Sequence, residues 1–282
     1  IEWSADCNDD GIVDYGQILD GTLADDDGDG VPDTCVLTSE GTSIEGDLLG
    51  FQIAVDGDHM IANTFQANGG VSFFERGATG WDWTTFIPFP VDPPGLPVYF
   101  ETRDGACMQD DWAFAGARFG ASDGQVRVYR LVDGTWTEFQ TLDAPLGGGS
   151  FGAGFGLKID FDGTRLLVGA FQESGGQSGG AHFYVFDGTN WILEQSVVSL
   201  EPAGAGYFGS SVAIDGDLAA VGSNDNGNSR GRVDVFKRIN GEWVGQIHLS
   251  PPDGASDDAF GGELDIDSGV LVVAQAGRTV GG

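Results

Sequence analysis

The chain has 282 residues, a formal net charge of −32, 48 glycines and only 12 Lys plus Arg residues. This charge argues against a nucleic-acid partner, because phosphate binding needs clustered Lys and Arg. The abundant aromatic residues argue against a disordered acidic chain, and no run of 18 apolar residues is present that could span a membrane. Glycines scattered between short apolar runs predict an all-β fold with many tight turns.

The first 47 residues form an acidic segment with fourteen Asp and Glu and no Lys or Arg. Residues 6–14 and 25–33 both match D-x-[DN]-x-D-G-x-x-D. This spacing is typical of a calcium loop, in which oxygens at positions 1, 3, 5, 7 and 9 converge around a sharp turn at glycine. Position 12 is Gln17 or Val36 rather than Glu, which predicts weak, extracellular-type affinity. The predicted Ca²⁺ ligands are Asp6, Asn8, Asp10, Ile12, Asp14, Asp25, Asp27, Asp29, Val31 and Asp33.

The run from Asp6 to Cys35 resembles thrombospondin type-3 and dockerin modules, and most of all the DCNxNGxxDxC repeats of exported proteins in planctomycete-like bacteria. The resemblance implies folding around calcium and an extracellular location. Repeats of that kind often contain two cysteines, whereas each loop here contains one. The departure fits a single Cys7–Cys35 disulfide that joins both loops. Cys107 is expected to be a buried or unpaired thiol, or a cross-link to another chain.

Residues 48–282 repeat with a period near 53, as shown by aligned glycines at positions 50, 156, 209 and 261. The second unit is the least regular. There we expect the first strand at Phe100–Arg103 and an insertion in the following turn at Cys107–Asp111. The predicted organisation is an acidic segment at 1–47 and a repeat domain at 48–282, with units near 48–97, 98–151, 152–205, 206–257 and a partial unit at 258–282.

Each complete unit is expected to contain four strands. The first alternates apolar and small residues and ends in a tight Asp-Gly turn. The second is a short apolar run, such as Leu218–Gly222, and the third follows a glycine-rich loop. The fourth is led by tryptophan at Trp81 or Trp83, Trp136, Trp191 and Trp243. Four-stranded units at this period predict the blades of a β-propeller, and a solenoid of β-hairpins is the alternative.

Phe-Gly pairs at 155–156, 208–209 and 260–261, with Val-Gly-Ala at 168–170, resemble the FG-GAP repeat of integrin α-chain propellers and bacterial surface proteins. Integrin-like rings have seven blades, whereas five units are visible here and the fifth stops after two strands. Three explanations stay open. The sequence is truncated, the segment Val36–Ile44 supplies a strand that closes the ring, or a neighbouring subunit supplies the missing strands.

The sequence contains no pattern that indicates an enzyme. His59, His182 and His248 fall in different units, and no G-x-S-x-G, P-loop or HExxH motif occurs. We therefore expect a non-enzymatic, extracellular, calcium-stabilised structural or adhesive protein that binds other copies of itself, another extracellular protein or a glycan. The alternative is a lectin-like propeller, with Trp81, Trp83 and Trp112 as candidate ligand-binding residues. A hydrolase with paired carboxylates is the third hypothesis.

Overall fold

The computed structural model describes residues 48–65, 70–78, 80–89, 105–117, 123–146, 153–173, 179–201, 206–223, 230–251 and 259–275. Within these ranges all regular structure is β, which confirms the predicted all-β class. None of these residues belongs to a helix with the length and hydropathy of a membrane span.

The strands of the described residues follow one another as short antiparallel pairs joined by tight turns. In chain order they are β1 (Leu48–Asp56), β2 (His59–Phe65), β3 (Gly70–Arg76), β4 (Trp81–Pro88), β5 (Ala106–Gln109), β6 (Trp112–Ala117), β7 (Gln125–Val132), β8 (Thr135–Asp143), β9 (Phe155–Phe161), β10 (Arg165–Ala170), β11 (Gly180–Phe186), β12 (Trp191–Val197), β13 (Phe208–Asp215), β14 (Leu218–Ser223), β15 (Arg232–Ile239), β16 (Glu242–Leu249), β17 (Phe260–Asp267) and β18 (Val270–Gln275).

The strands form five antiparallel sheets, each a simple up-and-down meander. The first four sheets are β1–β4, β5–β8, β9–β12 and β13–β16, and the fifth is the pair β17–β18. The four-stranded units expected from the sequence are therefore confirmed, as is a fifth unit with two described strands. This arrangement is propeller-like.

Successive sheets pack face to face along the chain, and the core lies between them. We call the face that a sheet turns toward the preceding sheet its leading face, and the opposite face its trailing face. In the first and fifth sheets we assign the two faces by comparing strand positions with those of the other sheets. Between the second and third sheets, for example, trailing Phe114 and Val128 pack with leading Phe161 and Trp191. Three further clusters lie between the other successive sheets, and a fourth lies on the leading face of the first sheet.

The innermost strands of different sheets lie close together. The backbone N–H of Ile214 in β13 donates to Asp160 Oδ2 in β9 at 2.7 Å. Lys158 in β9 contacts Glu263 in β17 at 2.7 Å, although a whole sheet separates them in the chain. The inner strands of the third and fifth sheets therefore meet, which means that the sheets curve around a common axis.

The second unit departs from the sequence prediction. Its first strand is β5, Ala106–Gln109, followed by a turn at Asp110–Asp111. The segment Cys107–Asp111, expected to be an insertion, thus contains most of the strand and its turn, and Phe100–Arg103 lies outside the described residues. The prediction failed because Gly105 takes a position that aligns with Lys158, so the Phe-Gly signature that marks other first strands is missing.

Candidate interaction surface

The first strand of each sheet places two apolar side chains on the leading face at equivalent positions. In the third and fourth sheets these side chains are at most 9% exposed. They are Ile159, Phe161, Val212 and Ile214. The corresponding residues of the first sheet are Ile53 at 46% and Val55 at 52% exposure. The leading face of the first sheet is thus open along its inner strand.

The fifth sheet is open on its opposite side. Val272 occupies the trailing position held in the other four sheets by a residue that is 0% exposed. Those residues are Ile61, Phe114, Leu167 and Ala220. Val272 is 60% exposed and Val270, on the same face, is 64% exposed. Exposed apolar positions that are core positions elsewhere in one chain indicate contact surfaces.

Of the three candidate ligand-binding tryptophans, two lie on the leading face of the first sheet. Trp81 begins β4 and lies 5.4 Å from the Arg76 guanidinium. Trp83 pairs with Phe74 across the strands, so both share this face, and Trp83 is 50% exposed. Trp112 lies apart from them, packed edge to face against Trp191 of the third sheet at 5.3 Å. The structure therefore groups Trp81 with Trp83 and not with Trp112.

The Phe-Gly pairs form the joints between sheets. Gly179 and Gly231, each just before or at the start of the third strand of a unit, form parallel bridges to Phe208 and Phe260 of the next unit. Gly209 has φ +93°, and a side chain there would meet the backbone of Gly180 and Ala170. The signature glycine is required because two sheets approach each other through their backbones at this point.

Residues 191–236 match the FG-GAP repeat. The matched segment runs from β12 into β15, so it includes the joint between the third and fourth sheets. No curated protein matches the chain.

Two solved structures match part of the chain. A protein from Lactobacillus plantarum is 15% identical with a TM-score of 0.50, and the match covers 72% of this chain and 57% of that one. U3-55K is 13% identical with a TM-score of 0.47, over 82% of this chain and 63% of that one. This chain spans less than two thirds of either structure.

A side-chain amide joins the second sheet to the third, and the third to the fourth, on their outer strands. The backbone N–H of Trp243 donates to Gln195 Oε1 at 2.7 Å, and Gln195 Nε2 donates to the Trp243 carbonyl at 2.9 Å. Gln140 makes the same pair of hydrogen bonds with Trp191. In each case the glutamine adjoins a register shift in its sheet, between Phe183 and Tyr184 in the third sheet, and such a bulge re-aims side chains.

Glu194, next to this glutamine in the third sheet, joins three partners. Its carboxylate accepts from Arg238 Nη2 at 2.8 Å and from Trp243 Nε1 at 3.1 Å, and it pairs with Arg165 at 3.2 Å. Desolvation raises the pKa of Glu194, but the hydrogen bonds and the two guanidinium charges outweigh it, so the net pKa lies below the usual range. Sequence reasoning missed this cluster, because Glu194 and Arg238 are 44 residues apart.

The buried side chain of His182 makes hydrogen bonds to buried Glu173 and to exposed Ser196, which the sequence did not reveal. Its Nδ1 lies 2.8 Å from Ser196 Oγ, and its Nε2 lies 3.0 Å from Glu173 Oε2. Serine, histidine and carboxylate in this connectivity resemble a nucleophile with its base. The equivalent cross-strand pairs in the neighbouring sheets join Arg127 to Thr141 and Asp234 to His248. Because all three sheets place polar residues there, we interpret the position as a structural polar contact.

The predicted calcium ligands and the predicted Cys7–Cys35 disulfide lie outside the described residues. Cys107, in β5, is a free thiol. Burial, and secondarily the charge of Asp160, raises its pKa well above the usual value. A raised pKa disfavours the thiolate, which is the nucleophilic form of cysteine. No group of three metal-ligating side chains occurs within the part of the chain that the structure describes.

Proposed function

We propose that the protein is a non-enzymatic, extracellular, calcium-stabilised structural or adhesive protein that binds a macromolecule through the ends of its sheet stack. The observation behind this proposal is the exposure of Val55 and Val272 at positions that are buried elsewhere in the same chain. Apolar side chains at such positions favour removal from water, at about 25 cal/mol for each Å² of apolar surface buried. The FG-GAP match supports the proposal, since that repeat is common in extracellular proteins.

The calcium role rests on the two motifs at 6–14 and 25–33. Titration calorimetry of the full chain should detect calcium binding, and the double variant Asp10→Ala, Asp29→Ala should weaken it strongly, because each change removes an oxygen from position 5. Limited proteolysis after chelation should cut within residues 1–47 and spare the sheets. Absence of binding at millimolar calcium would refute the calcium role.

The proposed extracellular location and the proposed lack of enzymatic activity are tested separately. Antibodies against the protein should label intact producing cells or the medium, and labelling only after lysis would contradict an extracellular role. A fluorophosphonate probe, which reacts with activated serines, should leave Ser196 unlabelled. Labelling that disappears in Ser196→Ala would show that the His182 contact activates a nucleophile, and it would overturn the non-enzymatic assignment.

A lectin-like function is the second candidate, favoured by the exposed ring of Trp83 beside Trp81. Aromatic rings with one apolar face and a polar edge suit contacts with sugars. A glycan array should then show binding that Trp83→Ala abolishes, while Val198→Ala, at an exposed site outside this face, leaves it unchanged. Absence of glycan binding by the wild-type protein would remove this candidate.

A further inference from the structure

The partner of the open faces can be inferred from what covers the equivalent faces inside the molecule. In the third sheet, leading Ile159 and Phe161 are covered by the trailing face of the second sheet, where Phe114 is central. In the fourth sheet, leading Ile214 is covered by the trailing face of the third, where Leu167 is central. Each leading face is thus built to receive the trailing face of a sheet of the same kind.

The chain itself carries an uncovered face of each kind. Ile53 and Val55 lie on an open leading face, and Val272 lies at the centre of an open trailing face. On the first sheet the open apolar positions lie in β1 and, at Trp83, in β4, whereas Met60 in β2 is buried. On the fifth sheet the open apolar position lies in β18, the second of its two described strands. Each open area thus includes a strand at, or next to, the inner edge of its sheet.

A hydrogen bond inside the molecule also has counterparts on the two open faces. Asp265 is exposed on the trailing side of the fifth sheet, opposite Val272 in the strand pair. Its equivalent in the third sheet is Asp160, whose carboxylate accepts from the backbone N–H of Ile214 in the next sheet. Val55 is the first-sheet equivalent of Ile214. Asp265 of one copy would thus find a backbone donor at an established pairing position.

We infer that the trailing face of β17–β18 in one copy docks on the leading face of β1–β4 in a second copy. This inference rests on the proposed function and names its partner. The contact joins two different surfaces, so it is head-to-tail, and copies add in series unless the rotation between them closes a ring. It continues between molecules the sheet-to-sheet packing that already joins the sheets within one molecule.

Two variants separate a head-to-tail contact from other kinds of association. Val55→Glu blocks the leading face and Val272→Glu blocks the trailing face, and both residues are exposed in the single chain, so neither change disturbs a buried contact within it. Val198→Glu is the matched control, because Val198 is also exposed, at 64%, but lies in the β12–β13 connection. Circular dichroism checks that each variant is folded, and Val55→Thr and Val272→Thr replace any variant that is not.

Sedimentation velocity of the full chain in calcium gives the decisive result. Wild type and Val198→Glu should form larger species as concentration rises, whereas each face variant alone should associate about tenfold or more weakly. An equimolar mixture of the two face variants should form dimers and nothing larger, because it retains one intact leading face and one intact trailing face. A mixture that stays monomeric, or face variants that assemble like wild type, would overturn the inference.

The remaining outcomes identify other occupants. A monomeric wild type whose Ile53 and Val272 backbone amides are protected from hydrogen exchange would show that the chain covers its own faces, and it would overturn docking between copies. A monomeric wild type without that protection would also overturn it. Calcium binding and extracellular location are measured independently and would survive either result. The first outcome would also exclude binding through the sheet ends, whereas the second would leave a different macromolecule as the partner.

Discussion

The interface between the second and third sheets and the interface between the third and fourth are built on one plan and completed differently. In both, a glutamine of the earlier sheet binds both backbone groups of the tryptophan that leads the later sheet's outer strand. Beside that glutamine stands Phe139 in the first case and Glu194 in the second. Phe139 packs edge to face against Trp112 at 5.1 Å. Glu194 instead forms ion pairs with Arg165 and Arg238.

The difference shows which parts of the repeat the fold requires. Backbone-directed contacts, such as those of Gln140 and Gln195, recur because they depend only on strand position. The neighbouring side chain is free to vary, since an aromatic contact in one interface and a paired carboxylate in the other occupy the same place. The indole groups of the two tryptophans differ in the same way. The indole N–H of Trp243 donates to Glu194, whereas the indole N–H of Trp191 has no acceptor among the described residues.

Removal of the shared tryptophan should have the largest effect. Trp191→Ala should lower the free energy of unfolding by about 3 to 5 kcal/mol, because a side chain 3% exposed leaves a cavity. Trp243→Ala should cost a similar amount. Chemical denaturation with fluorescence detection measures both. If Trp191→Phe costs as much as Trp243→Phe, the extra hydrogen bond of Trp243 contributes nothing.

The signature glycine should rank next. Gly209→Ala should destabilise the protein by about 1 to 3 kcal/mol from its positive φ alone, and the clash with the Gly180 backbone adds to this. Gly216→Ala is the control, because its φ is also positive, at +57°, but no atom lies within 4 Å of the added carbon. Thermal unfolding of the two variants should distinguish the energetic cost at the contact between sheets, measured by Gly209→Ala, from the cost in a turn, measured by Gly216→Ala. Equal losses would mean that the close approach between sheets has no energetic role.

The carboxylate of the second interface should have a smaller, pH-dependent effect. Glu194→Gln should cost about 1 to 3 kcal/mol at neutral pH, because charge-assisted hydrogen bonds are lost. The folded pKa of Glu194 is lowered, so its contribution is complete above the unfolded value of about 4.3 and disappears as pH falls through the folded pKa.

Denaturation at a series of pH values, with Phe139→Leu as the pH-independent reference, checks this prediction. The stability difference between wild type and Glu194→Gln should shrink below about pH 4. A difference that stays constant across this range would show that the charge of Glu194 does not contribute.

Loss of one glutamine should have the smallest effect. Gln195→Ala should cost about 1 to 2 kcal/mol, since two hydrogen bonds to the Trp243 backbone are exchanged for water at a partly exposed site. Gln140→Ala should cost the same, and the two losses should add because the sites are in different interfaces. Denaturant midpoints of the single and double variants measure this, and a clearly larger effect at one site would show that the two contacts are not equivalent.

Local patterns predicted the repeat well. The alternation in β13, the short apolar run in β14 and the tryptophan at the start of β12 all lie where the sequence placed them. These features depend on strand periodicity and turn chemistry, which act over a few residues. The prediction was wrong at β5, where the signature glycine is absent, and it could not choose between Trp81 and Trp83. The pairing of Trp81 with Arg76 at the start of the outer strand makes Trp81 the equivalent of Trp191.

By itself the sequence determined the all-β class, the four-stranded unit and the number of visible units, because each follows from contacts between neighbours in the chain. Only the tertiary structure decided which apolar residues are covered. Val55 and Ile214 occupy the same place in the same pattern, yet one is 52% and the other 4% exposed. Their difference lies in the sheet that stands before them, since the burial of a side chain depends on what packs against it rather than on the strand that carries it.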